Sequence, residues 1–257
     1  MTGMPSWCKR MPKFFFDAKK TIGTHVELTG KTAHHIANVL RYKLGDEVLL
    51  CDGNCIDYVT KFVSCETSKK LTKIRLEVKE ARKCYNEPSV YIRLYQSVIK
   101  WENFDFVIQK SVEIGVSEIV PVVTKRSIHG ISDVRKKVER FNRITKSAAE
   151  QSMRGIVPNV LEPVSMSDYV LQATTTACDK VSFLALCDER ITLMKRLENT
   201  NLEVIDLWIG PEGGFTTEET TSLVGNGFIP YSLGPRVLRS ETAGIVSAAN
   251  VILLSQR

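Results

Sequence analysis

Two short segments of this chain join backbone-exposing residues to charged ones at spacings that suit ligand chemistry. The first is Ile209-Gly210-Pro211-Glu212-Gly213-Gly214-Phe215; the second, twenty-four residues later, is Leu233-Gly234-Pro235-Arg236-Val237-Leu238-Arg239. Glycine lets the main chain approach a ligand closely, and proline stiffens the loop around it. The first segment is neither a Walker loop nor a GxGxxG turn, because no Gly-Lys-Ser/Thr follows it and the glycines are differently spaced. It opens a helix whose first turn carries Thr216, Thr217, Glu218 and Glu219, with Thr216 and Glu219 at capping-box spacing. Acids there already occupy the positive end of the helix dipole and discourage a polyphosphate, so a neutral or cationic ligand is expected. In the second segment Ser240 caps the last helix, and Glu241 and Thr242 fill its first turn. Arg236 and Arg239 have no neighbouring carboxylate but Glu241; they either pair with an acid or contact a phosphate or carboxylate.

These loops need strands to hold them. The apolar runs 204–208 and 228–232 precede them directly, and loops at the carboxyl ends of strands are where open α/β sheets bind ligands. From residue 90 onward strands and helices alternate: strands at 90–99, 118–123, 183–187, 204–209 and 229–233, helices at 103–114, 134–151, 191–199, 216–224 and 241–255. That alternation predicts a parallel sheet covered on both faces. Small residues Ala243, Gly244, Ser247, Ala248 and Ala249 let the last helix pack closely against its neighbour. Residues 14–80 instead read as short β-type runs with one helix from Thr29 to Gly45, striped by Ile36, Val39 and Leu40. A small closed or nearly closed β-barrel fits this pattern. The polar stretch 79–88 reads as a linker, giving domains 1–84 and 85–257.

Composition narrows the class. A chain of 257 residues with 43% hydrophobic content can bury sizeable cores. No apolar run spans a bilayer, and the stretch 1–16, with Lys9, Arg10 and Lys13 before three phenylalanines, is too short for a secretory signal; a cytoplasmic protein is expected. Seven cysteines without a CxxC pair, and His25, His34, His35 and His129 without a ligand pattern, predict reduced thiols and no metal. Up to Cys84 there are 16 Lys+Arg against 9 Asp+Glu, so this segment carries +7 of a net +6 and the remainder −1. That asymmetry suits a polyanionic partner or, more plainly, a solvated basic face.

The paired segments IGPEGGFTTEE and LGPRVLRSETA resemble the signature of the SPOUT-class RNA methyltransferases, and most closely the RsmE-type 16S ribosomal RNA uridine N3-methyltransferases. The resemblance extends to Gln109-Lys110-Ser111-Val112-Glu113-Ile114-Gly115-Val116, to Glu118-Ile119-Val120-Pro121 with Arg126-Ser127, to Ala149-Glu150-Gln151-Ser152 with Arg154, and to His34–Arg41 and Leu44-Gly45-Asp46-Glu47-Val48 in the first domain. Ser240 stands where the family usually has threonine, and Met153 where it often has glycine. The resemblance implies a PUA-like β-barrel followed by a SPOUT domain, a trefoil-knotted parallel sheet with helices on both faces. It implies a homodimer that takes S-adenosylmethionine and acts on 16S rRNA of the small ribosomal subunit. Carried over residue by residue, it places Leu186, Gly210, Glu212, Gly213, Gly214, Leu233, Gly234, Val237 and Leu238 at the cofactor.

Methylation of uracil N3 requires loss of the N3 proton, helped by cationic donors, a base, or both. Arg236 and Arg239 are the candidate cations; Glu241, Glu150 or Glu212 could be the base, with Glu241 taken as the catalytic candidate. Arg10, Lys13, Arg126 and Arg154 are candidate RNA contacts, and the basic helix face of Arg135, Lys136, Lys137, Arg140, Arg143 and Lys146 is either an RNA approach or a solvated surface. Two further readings stay open: another RNA position, such as a ribose 2′-oxygen, and a non-catalytic RNA-binding assembly factor.

Overall fold

The computed structural model describes residues 11–68, 71–173, 181–198 and 203–255. They form two compact units. The first holds the described residues up to Glu87 together with Ala149–Val157; the second holds Pro88–Ala148 and those from Pro158 on.

The first unit is built from β1 (Lys13–Phe15), β2 (Thr21–Ile22), β3 (His25–Thr29), α1 (Gly30–His34), β4 (Glu47–Cys51), β5 (Ile56–Thr67) and β6 (Thr72–Lys83). The strands pair in the order β1-β4-β5-β6-β3-β2, antiparallel except for β1 against β4. Strict alternation explains β6: Thr72, Ile74 and Leu76 face the core while Lys73, Arg75 and Glu77 do not. The core is Phe14, Phe16, Val26, Leu28, Val48, Leu50, Phe62, Ile74 and Leu76, closed by Ala33 and Ile36. The sheet is a half-barrel rather than a closed one. Its terminal strands have three and two residues, and the ladder ends at them without pairing them.

The expected helix from Thr29 to Gly45 is shorter and irregular. Thr29 has the extended backbone of an N-cap without a side-chain bond, and α1 passes directly into a π turn at His35–Val39. The wider turn rotates the following residues off the apolar face. Ile36 is therefore buried, while Val39 and Leu40 are 55% and 37% exposed. The stretch 79–88, read as a linker, is strand up to Lys83 because β6 pairs with β5 along its length.

A buried ion pair sits in this unit. Lys13 Nζ lies 2.7 Å and 3.0 Å from the two carboxylate oxygens of Asp57. It also donates to the carbonyls of Met153 (3.1 Å) and Arg154 (3.3 Å). Burial disfavours the ammonium, but the hydrogen bond and charge of Asp57 outweigh it, so Lys13 holds its proton more tightly than an ordinary lysine. Burial pushes the neighbouring Cys51 thiol up to about 12, and its Sγ donates to the Gly155 carbonyl at 3.3 Å.

The second unit comprises β7 (Tyr91–Ser97), α2 (Trp101–Ile114), β8 (Glu118–Val123), α3 (Ile131–Arg135), α4 (Val138–Gln151, up to Ala148), β9 (Asn159–Val160), β10 (Val164–Ser165), α5 (Met166–Ala173), β11 (Val181–Ala185), α6 (Leu193–Leu197), β12 (Val204–Ile209), α7 (Thr217–Gly225), β13 (Ile229–Tyr231) and α8 (Ser240–Ser255). Its sheet is parallel throughout, ordered β10-β8-β7-β12-β11-β13 with β9 also on β8. Residues on one face of the strands, Tyr95, Val120, Val122, Leu184 and Trp208, pack with Met166 and Tyr169 of α5 and Leu223 of α7. Trp208 stacks on Tyr95 with ring centres 4.1 Å apart. The opposite face meets α8, whose small residues permit the approach: a Cβ on Gly244 would lie 2.6 Å from Gln96 Oε1 and 3.8 Å from Ile209. Tyr231 reaches across the same seam to Ser247 Oγ at 2.7 Å.

The helix expected over 134–151 is two helices, with Lys136 and Lys137 in the turn between them. β9, β10 and α5 have no counterpart among the expected elements; two-residue strands are too short to show a period.

Removing the ammonium at Lys13 leaves a buried carboxylate unpaired. Lys13→Met is expected to cost about 3–5 kcal/mol in urea unfolding, and the double variant Lys13→Met/Asp57→Leu to recover most of that loss. Because the lysine pKa is raised on folding, its contribution persists through neutral pH and fades only as pH rises past the ordinary lysine range.

Candidate functional site

The carboxyl ends of β7, β8, β11, β12 and β13 all open onto one cleft of about 1170 Å³. Its walls are three loops: residues 185–189 after β11, 209–217 after β12, and 233–243 after β13 into α8. Lys100 and Asn103 at the start of α2, with Arg126 and Ile128 after β8, form the remaining side. The structure brings together Leu186, Gly210, Glu212, Gly213, Gly214, Leu233, Gly234, Val237 and Leu238 in this lining, and with them Arg236, Arg239 and Glu241.

The loop after β12 is held from several directions. Gly214 N–H closes a turn onto the Pro211 carbonyl at 2.9 Å with φ +69°. A Cβ on Gly214, or on Gly234 with φ +104°, would meet nothing within 4 Å, so both present bare backbone to open space. Thr216 caps α7, and Glu219 returns the bond to Thr216 N–H at 2.8 Å, completing the capping box. The other Glu219 oxygen accepts from Lys125 N–H at 2.8 Å. Arg126 Nη1 donates to the carbonyls of Gly213 (2.6 Å) and Phe215 (3.4 Å). Glu212 Oε1 accepts from Lys100 N–H at 3.4 Å.

The loops after β12 and β13 meet at one hydroxyl. Ser240 Oγ donates to the Gly210 carbonyl at 2.5 Å and accepts from Gln96 Nε2 at 2.9 Å. Gln96 is fully buried at the end of β7, and its Oε1 has no partner among the described residues. Sequence reasoning missed Gln96. A polar residue closing the apolar run 90–99 of a central strand was the signal that could have found it.

The charged residues divide sharply. Arg236 and Arg239 are exposed and form no ion pair among the described residues. Glu241 keeps one buried carboxylate oxygen, Oε2, with no hydrogen-bond partner among the described residues. A buried unpaired acceptor is costly, so this atom is poised for a donor from outside the chain. Glu150 by contrast accepts from Phe15 N–H in the first unit, and Glu212 is exposed.

Two of the candidate RNA contacts are buried in ion pairs. Lys13 is 1% exposed and committed to Asp57, and Arg154 is 2% exposed with Nε and Nη2 on the Glu87 carboxylate. Neither presents its charge to solvent. Arg126 is exposed and spends one nitrogen on the glycine loop. Arg10 lies outside the described residues. The basic face at 135–146 is largely engaged: Arg135 with Glu162, Lys136 with Asp133, Lys137 over the Trp101 ring, and Arg140 with Asp105. Among the described residues no cluster of His, Cys, Asp and Glu could hold a metal ion, and no helix is long and apolar enough to cross a membrane.

Loss of the Ser240 hydroxyl frees the Gly210 carbonyl and strands Gln96. Ser240→Ala is expected to weaken ligand binding in the cleft about tenfold, and Gly244→Ala to do likewise by displacing a buried Gln96 that has no room to move; calorimetric titration and thermal melting read both.

The family model for an RNA methyltransferase domain matches residues 86–252, and that for an RNA methyltransferase PUA domain matches 28–79. Ribosomal RNA small subunit methyltransferase E of Mesomycoplasma hyopneumoniae is 32% identical over 236 residues, covering 91% of this chain and 96% of its own. The crystal structure of a ribosomal RNA small subunit methyltransferase E from Neisseria gonorrhoeae bound to S-adenosyl methionine superposes with TM-score 0.83 at 28% identity, covering 95% of this chain and 98% of that one. A methyltransferase from Legionella pneumophila in complex with the same cofactor gives TM-score 0.80 at 29% identity, over 96% and 97% of the two chains. With both domain models matched and the similarity running nearly end to end, the chain belongs to the ribosomal RNA small subunit methyltransferase E family.

Proposed function

We propose that this chain transfers a methyl group from S-adenosylmethionine to N3 of a uridine in 16S rRNA of the small ribosomal subunit. The observation that carries the reading is the cleft itself: three strand-end loops, two of them glycine-lined, converge beside two unpaired arginines and a carboxylate oxygen without a partner. The residues fit the cofactor. Backbone at Gly210, Gly214 and Gly234 with the apolar Leu186, Val237 and Leu238 suits a heterocycle and a sulfonium, and the acids behind the loop disfavour a polyphosphate. Bound there, the cofactor supplies an electrophilic methyl.

The chain's own work is alignment and proton handling. Glu241 Oε2 is the acceptor best suited to the N3 proton, since it is buried, unpartnered and in the cleft, whereas Glu150 and Glu212 are not all three. Arg236 and Arg239 donate to the oxygen on which charge develops or grip a flanking phosphate. The basic first unit tracks the RNA backbone, giving salt-sensitive affinity. The enzyme works as a cytoplasmic homodimer with a trefoil knot in its second domain; the exposed apolar side chains Val237 (80%) and Leu253 (65%) support a covering second copy.

Purified protein with labelled S-adenosylmethionine is expected to methylate small subunits and yield 3-methyluridine after nuclease digestion. A 2′-O-methylnucleoside would move the reading to ribose, and absence of cofactor binding would leave an RNA-binding assembly factor. Glu241→Gln is expected to lower kcat by about a hundredfold or more with little change in cofactor affinity, and to flatten the acid limb of the pH–rate profile.

A further inference from the structure

Beside the cleft lies a ring pair that the reaction scheme above does not use. Trp101, the first residue of α2, stacks on His129 with ring centres 4.0 Å apart and planes 13° from parallel. Lys137 Nζ sits 4.9 Å from the Trp101 ring centre. Both aromatic residues are partly exposed. Their sequence neighbours Lys100, Asn103, Arg126 and Ile128 line the cleft, and Ile128 is 53% exposed.

The pair is fixed to the glycine loop from both sides. Lys100 N–H, next to Trp101, donates to Glu212. The segment carrying His129 is fastened by Arg126 to Gly213 and Phe215, and by Lys125 N–H to Glu219. The platform thus has a set position relative to the cofactor wall. Charges of both signs surround it: Lys100, Lys125, Arg126 and Lys137, with Glu102, Glu212, Glu218 and Glu219, of which Glu218 lies 3.7 Å from Lys125.

We propose that the Trp101–His129 stack receives a nucleobase of the substrate RNA adjoining the methylated uridine, so that the base extends the stack over His129. The inference rests on the RNA methyltransferase reading of the cleft. Unstacked bases of single-stranded RNA are recognised on aromatic faces, and each such contact carries enough energy to matter for affinity. Lys137 and Arg126 place positive charge where the flanking phosphates would run.

The test uses the full-length protein and small ribosomal subunits. His129→Ala is expected to raise KM for the subunit about tenfold, to weaken RNA in filter binding by the same factor, and to leave the S-adenosylmethionine Kd unchanged; His129→Phe should restore most of the loss. Trp101→Ala should act similarly. Because Trp101 also packs on Phe141, the melting temperature of that variant must be compared, and His129→Ala, which leaves Trp101 and its contact with Phe141 in place, stays decisive. Unchanged KM and RNA affinity in His129→Ala, failure of His129→Phe to restore them, or a changed oligomeric state would overturn the proposal. Wild-type protein that binds RNA with the predicted His129 dependence but transfers no methyl would instead overturn the enzyme reading alone.

Discussion

The Ser240 hydroxyl is the point on which the second unit's geometry turns. Borne by the first residue of α8, it donates to the Gly210 carbonyl of the neighbouring loop and accepts a hydrogen bond from Gln96 on the central strand β7. Three elements far apart in sequence are thereby fixed to one atom. The contact is possible only because Gly244, one turn further along α8, has no side chain to keep the helix away from Gln96. The small-residue helix, the buried amide and the glycine loop are one solution to one packing problem. The network is also incompletely satisfied, since Gln96 Oε1 and Glu241 Oε2 lack partners within the described chain. One atom sits near the end of β7 and the other in the first turn of α8 beside the cleft, and such buried acceptors are costly to leave unpaired.

Much of this was legible in the sequence where local rules act alone. The capping box at Thr216 and Glu219, the strands 118–123 and 204–209, and the alternation that makes a parallel sheet need only a few neighbouring residues to specify them. The gathering of the two glycine loops followed from their position after strands. Illegible were features set by tertiary context. The π turn at His35–Val39 rotates Val39 and Leu40 outward against their apolar character, and β9 and β10 are strands only because β8 offers an edge.

Charge was read least well. Lys13 and Arg154 look like surface cations in the sequence, yet each is buried against an acid, Asp57 and Glu87, more than forty residues away. Nothing local distinguishes such a residue from a solvated one; the distinction lies in a partner that only the fold brings near. Of the 16 basic residues up to Cys84, Lys13 is thereby withdrawn from the surface, but Asp57 goes with it and the excess of positive charge stands. Arg126 is a milder case: exposed, but with a share of its donors spent on main-chain carbonyls.

The strand order also governs when the site can exist. β7 pairs with β12 from Tyr91 to Gln96, while β8, β9, β10 and β11 all lie between the two in sequence. A chain emerging from the ribosome therefore carries Gln96 long before β12, which pairs with it at Ile209, is made. Until then the central strand has an unpaired edge, and contacts of such sequence separation form slowly. The cleft is in the same way a late product of the chain: α8 supplies Ser240, Glu241 and Ala243 to its lining, so a fragment ending before α8 lacks that wall.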